Sequence, residues 1–443
     1  MYKIKSFIKA IFQPDAFATF LNYIIKIFLN PIIVFFVPYF LTENQQGYWY
    51  TFGSIAGLTV FADLGFTSIM TQYAAHEYTY LNFNKKSGEF VGRADSIERM
   101  SSLFKFVVRW IWKVLLIAFI IILVLGILMF SNNEDGVKWQ IPWILYTLAS
   151  VFNFASQIML SFYEGCDQFA TTQRIRTVAS SVHCITAIAL LICGAGLYAL
   201  SIPLFLKGTI VFKCLDNKFG ASIRQMIHCE IKCRIAWTKE FVPLLGKYAV
   251  SWISGYFASQ IYSPLTFALF GSVVAGKVGY SLSIVQAIYT VANVWSLISM
   301  PKYNMAVEKR EWKQMDELLK RNIVYSILVY VIGIGALFAS RLIPVISNII
   351  WTRILSIESI LILSLAYCLS LVVYAMAVYL RAHKKEPFMV VSILSGIISM
   401  ALTYILTRSD GVDYIFIGLF LSEIIVLPIG GYILMRFRKI WHK

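Results

Sequence analysis

Charge is what this chain of 443 residues has least of, with Asp, Glu, Lys and Arg making up 14% of it, against about 25% in a soluble domain. That is too little to solvate a water-exposed surface, which excludes the two or three soluble domains the length would otherwise allow. Carboxylates are scarcer than bases, 23 against 39, and the net charge is +16. In a soluble chain that excess would raise nucleic acid as a partner. In a chain this apolar it reads as the positive-inside bias of a membrane protein, and no nucleic-acid partner is expected. Cysteines are few and odd in number, seven, and six fall in apolar stretches or basic loops, so a disulfide framework is not expected. No phosphate-binding loop, nucleotide fingerprint, Gly-x-Ser-x-Gly elbow or HExxH zinc motif appears. The chain therefore shows no sign of ATP-driven pumping, of a cofactor or of an active site, and it is not expected to be an enzyme. His228, Cys229 and Cys233 come nearest to a metal set, but structural zinc needs a fourth ligand, so no metal is expected.

What is present is hydrocarbon. Hydrophobic residues make up 59% of the chain and its mean hydropathy is +0.71. A helix needs about 20 mainly apolar residues to cross ~30 Å of lipid. Twelve stretches qualify, at 17–41, 48–72, 110–131, 140–163, 177–197, 199–213, 242–263, 278–300, 322–343, 356–380, 388–407 and 413–435. The fifth and sixth share one apolar run broken by Gly194, Gly196 and Pro203. Reading them as one helix would leave eleven spans. Charge decides for twelve. With both ends on the cytoplasmic side, 33 of the 39 Lys and Arg face the cytoplasm, Arg174, Arg176 and Lys207 among them. Removing one span would invert one side of the chain and destroy that asymmetry. The basic start, Met1-Tyr-Lys-Ile-Lys5, lacks the short apolar core and cleavage site of a removable signal, so an uncleaved first span is expected.

The predicted fold is an all-α polytopic membrane protein of about 12 transmembrane helices in two six-helix bundles, with both termini cytoplasmic. A charged inner loop at 214–241 separates an N-terminal bundle (1–213) from a C-terminal one (242–443). Both sets start and end inside, so any repeat is parallel, about an axis along the membrane normal. Gly47-Tyr48 at the start of span two and Gly279-Tyr280 at the start of span eight are a weak echo of it, as are Tyr163 and Tyr379. Outer loops are too short to hold a catalytic domain.

Charge inside hydrocarbon is costly and marks function by default. Lys26 lies nearly central in span one, with Asn22 and Asn30 on the same helix face. It is either a ligand-binding cation or a structural partner of Asp63 in span two. Polar stripes recur in span four (Ser150, Asn153, Gln157, Ser161) and span eight (Ser283, Gln286, Thr290, Asn293). They serve either as walls of a wet cavity or as interhelical glue worth roughly 0.6 kcal/mol per bond. Glu423 in span twelve and His183 in span five are lone titratable groups, open to ion coupling or to packing roles.

Several stretches resemble the polysaccharide exporters of the multidrug/oligosaccharidyl-lipid/polysaccharide superfamily. They run from Leu41 through Gly47-Tyr48-Trp49 to Phe61-Ala-Asp-Leu-Gly-Phe66, then Glu164-Gly165 with Gln168, Val278-Gly279-Tyr280-Ser281 through Pro301, and Arg381-Ala-His-Lys-Lys-Glu-Pro387. The likeness is greatest to Wzx-type O-antigen flippases and related capsule or exopolysaccharide translocases. It implies two six-helix bundles in a bacterial plasma membrane. It also implies movement of an undecaprenyl-pyrophosphate-linked oligosaccharide from the inner to the outer leaflet, among membrane lipids, beside the polymerase and chain-length regulator of the same pathway. On this reading Lys26 meets the phosphate, Asn22, Asn30, Asn153, Gln157, Gln286 and Asn293 line the path, and Asp63 and Glu423 pair charge or couple an ion. The alternative is a cation-coupled drug antiporter of the same superfamily, which would use intramembrane carboxylates such as Asp63, Glu358 and Glu423. A membrane enzyme or a scaffold of a glycan assembly complex are further readings.

Overall fold

A computed structural model describes residues 31–133, 135–231, 236–241, 245–246, 256, 260–383 and 387–441. Among these, nine helices are long and apolar enough to cross a membrane, and a bent pair makes a tenth span. The chain is a multi-pass membrane protein. The first half of span one, with Lys26, Asn22 and Asn30, and most of span seven lie outside the described residues.

The first described helix, α1, is Pro31–Phe40. Helix α2, Glu43–Ala56, opens on a reciprocal cap. The Gln45 amide donates to Thr42 Oγ1 and the Thr42 amide to Gln45 Oε1, both at 3.2 Å, so two otherwise orphaned donors are satisfied. The span runs on through Gly57–Thr59 and Val60–Asp63 and then breaks, because Leu64 (φ 43°) and Gly65 (φ 83°) are both left-handed. It resumes as α3, Phe66–Tyr78. The Asp-Leu-Gly triplet noted in the sequence is thus a helix break inside span two. The Asp63 carboxylate takes hydrogen bonds from the Thr67 amide (2.9 Å) and the Thr67 hydroxyl (3.0 Å), which caps the new helix.

A hairpin, β1 (Leu81–Asn84) and β2 (Glu89–Gly92), interrupts the expected all-α pattern. Its strands are antiparallel, and the Asn84 side chain organises the turn by accepting from the Lys86 amide. Four membrane helices follow: α4 (Ala94–Phe130), α5 (Gln140–Gly165), α6 (Phe169–Ile192) and α7 (Tyr198–His228). Spans five and six are separate helices, as the charge count required. The turn between them passes through Gly194 (φ 73°) and Gly196 (φ 58°), a backbone conformation that residues with a side chain rarely adopt. The span-six helix is 31 residues long and extends far beyond the expected 199–213.

The later helices are α8 (Tyr262–Phe270), α9 (Ser272–Ala292), α10 (Val294–Glu308), α11 (Trp312–Ala339), α12 (Ile357–Arg381), α13 (Met389–Asp410) and α14 (Ile417–Trp441). Helices α9 and α10 meet at Asn293 with a 42° bend, so span eight, like span two, is broken.

The helices form two compact units. One runs from Ile55 into the connection that ends near residue 252. The other comprises Val34–Ser54 and the chain from residue 253 onward. The boundary therefore passes through α2 as well as through the connection after α7. Unit one packs an apolar core that draws on α3 to α7, with the hairpin folded onto it. Phe83 meets Phe219 edge-on, and the Gln225 side chain exchanges two 2.9 Å hydrogen bonds with the backbone of Phe90. In unit two, α2 crosses α9 at Gly47 and Gly276. A Cβ on Gly47 would lie 2.0 Å from the Ser272 carbonyl oxygen, so only glycine permits this approach.

Candidate functional site

Among the polar clusters of the described residues, one in each unit gathers residues singled out in the sequence, and the two differ in chemistry. In unit one it lies between α5 and α6. Glu164, at the end of α5, forms an ion pair with Arg176 on α6, with Nε 3.1 Å from Oε1. Thr172 and Gln173 also donate to Glu164 Oε1, at 3.2 and 3.1 Å. The second arm of Arg176 reaches down α5 and donates through Nη1 to Gln157 Oε1. Gln157 is roughly 12 Å from the Gly165 end of α5 at 1.5 Å per residue, so this guanidinium reaches into the span. The side chains of Arg176 and Glu164 are 18% and 14% exposed, which makes this a largely desolvated pair.

One more basic group accompanies it in unit one. Lys207 lies within α7, roughly 14 Å along the helix from Tyr198, and is within electrostatic reach of His183 on α6. Arg176 and Lys207, assigned to inner connections by the charge count, both lie within helices, α6 and α7. The loop between α5 and α6 is shorter than the apolar pattern suggested, and α7 continues as a helix well past Lys213.

Unit two gathers a carboxylate and tyrosines. Glu423 on α14 is buried, with one carboxylate oxygen lacking a protein hydrogen-bond partner, while Ser370 on α12 donates to the carboxylate. Tyr289 on α9, Tyr367 on α12 and Tyr262 on α8 all lie within its electrostatic reach. Gln286 donates to the Tyr367 hydroxyl at 2.8 Å, and the Tyr289 and Tyr367 rings meet edge-to-face at 5.1 Å. Asn293 follows one turn after Tyr289, hydrogen-bonds its hydroxyl and sits at the bend of span eight. It is 5% exposed, and its side-chain oxygen has no protein partner.

The sequence-derived residues therefore separate into groups. Gln286, Asn293 and Glu423 come together in unit two. Gln157 joins the Arg176 cluster in unit one. Asn153, one turn away on α5, keeps a buried side-chain oxygen without a protein partner. Asp63 is engaged by Thr67, and its proposed partner Lys26 lies outside the described residues. Sequence reasoning missed Arg176, Lys207, Tyr289 and Tyr367. The two bases could have been found by the polar residues around them. With 25 tyrosines in the chain, the tyrosines carry no local signal. Among the described residues, no group of three or more His, Cys, Asp or Glu side chains could hold a metal ion.

No protein-family model and no curated protein sequence matches the chain. Solved structures do match, over nearly its full length. The lipid II flippase MurJ, in an inward closed conformation, aligns over 96% of this chain and 87% of its own, at 14% identity and a TM-score of 0.60. The eukaryotic MATE transporter AtDTX14 covers 95% and 94%, at 13% identity and 0.57. A mutant of the Vibrio cholerae MATE transporter VcmN covers 99% and 98%, at 14% identity and 0.54. At such identities the likeness establishes fold alone: this chain is a multi-pass membrane protein with the fold shared by the MurJ flippase and the MATE transporters.

Proposed function

We propose that the protein flips an undecaprenyl-pyrophosphate-linked oligosaccharide, an O-antigen, capsule or exopolysaccharide repeat unit, across the bacterial plasma membrane. The observation that carries this reading is the cationic cluster inside unit one. A pyrophosphate and a glycan cannot cross hydrocarbon unaided, whereas the prenyl tail can stay in lipid. A guanidinium held among amides within the span offers a planar, bidentate partner for a phosphate. Glu164 neutralises that guanidinium in the empty site, and an arriving phosphate would compete for it. On this reading Gln157 and Asn153 contact phosphate or sugar. Lys26, with Asn22 and Asn30, is proposed to contribute to the same path, and Asp63 to hold the break in span two. The fold shared with a lipid II flippase supports the reading, and so does the break in both span two and span eight, the feature that marks substrate sites in transporters with internal repeats.

Glu423 is the proposed ion-coupling group, a buried carboxylate whose charge must be met by a proton or a cation. The same residue gives the rival reading its one specific support. A buried carboxylate with tyrosines nearby also suits an organic cation, through charge and cation–π contact.

Flipping of a labelled undecaprenyl-pyrophosphate oligosaccharide in proteoliposomes, beside efflux of a fluorescent organic cation, separates the two. Flipping is expected from the native chain, with loss on Lys26→Gln and a marked fall on Arg176→Lys, which keeps the charge but removes the bidentate fork. Loss of ion-gradient stimulation is expected on Glu423→Gln. Cation efflux without lipid flipping would replace this function with the drug-antiporter one.

A further inference from the structure

A second basic feature of unit one lies apart from the Arg176 cluster. Lys105, Arg109 and Lys113 recur every four residues on α4 and so share one helix face. They line a groove of about 1020 Å³ between α4, the end of α7 with Ile231, and Ala236, Trp237 and Thr238. Trp110, Ile227 and Trp237 supply apolar and aromatic walls, and no carboxylate is among the described lining residues. The Trp237 indole nitrogen donates to Ser102 Oγ at 3.1 Å, which fixes one wall. The contacts of the bases are with neutral groups. Lys105 Nζ donates to the Cys229 carbonyl at 2.8 Å, and Arg109 Nε to the Lys105 carbonyl at 3.1 Å. Among the described residues no ion pair engages these three bases, so their positive charge is uncompensated there.

The position of the groove along α4 identifies its surroundings. Lys113 is the last charged residue of the helix, and from Val114 to Phe130 every residue is apolar or glycine. Leu116, Ile117, Ile120 and Ile121 in that stretch are exposed side chains that only hydrocarbon can cover. The cationic face therefore sits at the edge of the hydrocarbon layer, at headgroup depth, with tryptophans as expected for an interface. A basic pocket between membrane helices at that depth suits an anionic lipid headgroup. The groove volume reaches the upper end of small-molecule sites, roughly 300–1,000 Å³, far more than a free phosphate fills.

We propose that this groove binds an anionic phospholipid, with its phosphate on Arg109 and Lys113 and an acyl chain along the Trp110–Trp237 wall. The site is independent of the transported substrate, so it stands or falls separately from the flippase reading.

Delipidated full-length protein in mild detergent is titrated with phosphatidylglycerol, with phosphatidylcholine of the same chains, with inorganic phosphate and with undecaprenyl pyrophosphate. Bound species are read by native mass spectrometry. Saturable phosphatidylglycerol binding is expected that neither phosphatidylcholine nor inorganic phosphate reproduces. Each base near an anionic headgroup is worth about fivefold in affinity, so the Lys105→Gln/Arg109→Gln/Lys113→Gln variant should bind about a hundredfold more weakly. Lys105 also ties the backbone at Cys229, so the Arg109→Gln/Lys113→Gln variant, altered only at exposed side chains, repeats the test with about a 25-fold loss expected. Unchanged phosphatidylglycerol binding in that folded double variant would overturn the site. So would equal binding of phosphatidylcholine, or displacement by undecaprenyl pyrophosphate at lower concentration, which would make the groove a substrate entry point.

Discussion

The polar cluster of unit one is built around cations and that of unit two around a carboxylate, although each sits among membrane helices in the same fold. In unit one, Arg176 and Glu164 neutralise one another, and Gln157 holds the free arm of the guanidinium. In unit two, Glu423 has no basic partner among its described contacts, only Ser370, with Tyr289 and Tyr367 within electrostatic reach. The difference implies a division of labour. A paired cation can exchange its carboxylate for an incoming anion with little change in net charge. A lone buried carboxylate must take up a proton or a cation whenever it ionises, which makes it a natural place to couple an ion. The helix breaks differ in the same way. Span two breaks through two left-handed residues and is re-capped by Asp63, whereas span eight bends at Asn293 with ordinary helical angles.

The largest effect expected from breaking this contrast is at Arg176. Arg176→Leu should destabilise the protein by about 3 kcal/mol, because Glu164 is left largely buried without its partner. The Glu164→Gln/Arg176→Gln double variant should recover most of that loss in thermal unfolding, and equal melting of the two variants would show that the pair is not coupled. Glu423→Gln, by contrast, should leave the melting temperature nearly unchanged, since no charged partner is stranded.

A smaller effect is expected at the break in span two. Asp63→Ala removes the acceptor for the Thr67 amide and hydroxyl and should cost about 1 kcal/mol. Hydrogen exchange should rise at the start of α3 and stay unchanged at the start of α10. A uniform rise would mean that Asp63 does not act as a local cap. The smallest effect belongs to Tyr367→Phe, which deletes one hydrogen bond with Gln286 worth roughly 1 kcal/mol or less. If Tyr367 tunes the Glu423 site, this substitution should shift the pH dependence of ion-stimulated transport while barely moving stability. An unchanged profile would reduce Tyr367 to a packing role.

Most of the spans were legible in the sequence because their signal is a local sum. A run such as Val114–Phe130 is apolar whatever packs on it. The helix boundaries were less legible. Span three was expected from residue 110, but α4 begins at Ala94, and the charged turns between them look like loop when hydropathy alone is read. The same blind spot hid Arg176 and Lys207, since a span count assigns bases to loops by rule. The hairpin at 81–92 was missed because its two four-residue strands are too short to show alternation, and they are held in part by Gln225, far along the chain. Of the candidate site, Gln286, Asn293, Gln157 and Glu423 were identified as polar residues within spans, but their partners were not.

The sequence by itself determined the solvent of this protein. Too little charge and too many long apolar runs leave the membrane as the only medium that can cover it, and transfer free energy adds up residue by residue without reference to fold. Only the tertiary structure decided which polar groups meet. Glu423 finds Tyr289 and Tyr367 from helices well apart in sequence, Arg176 turns back along α5 to Gln157, and Gly47 admits α9 to within backbone contact. Those encounters depend on how helices cross, and no local sum contains that.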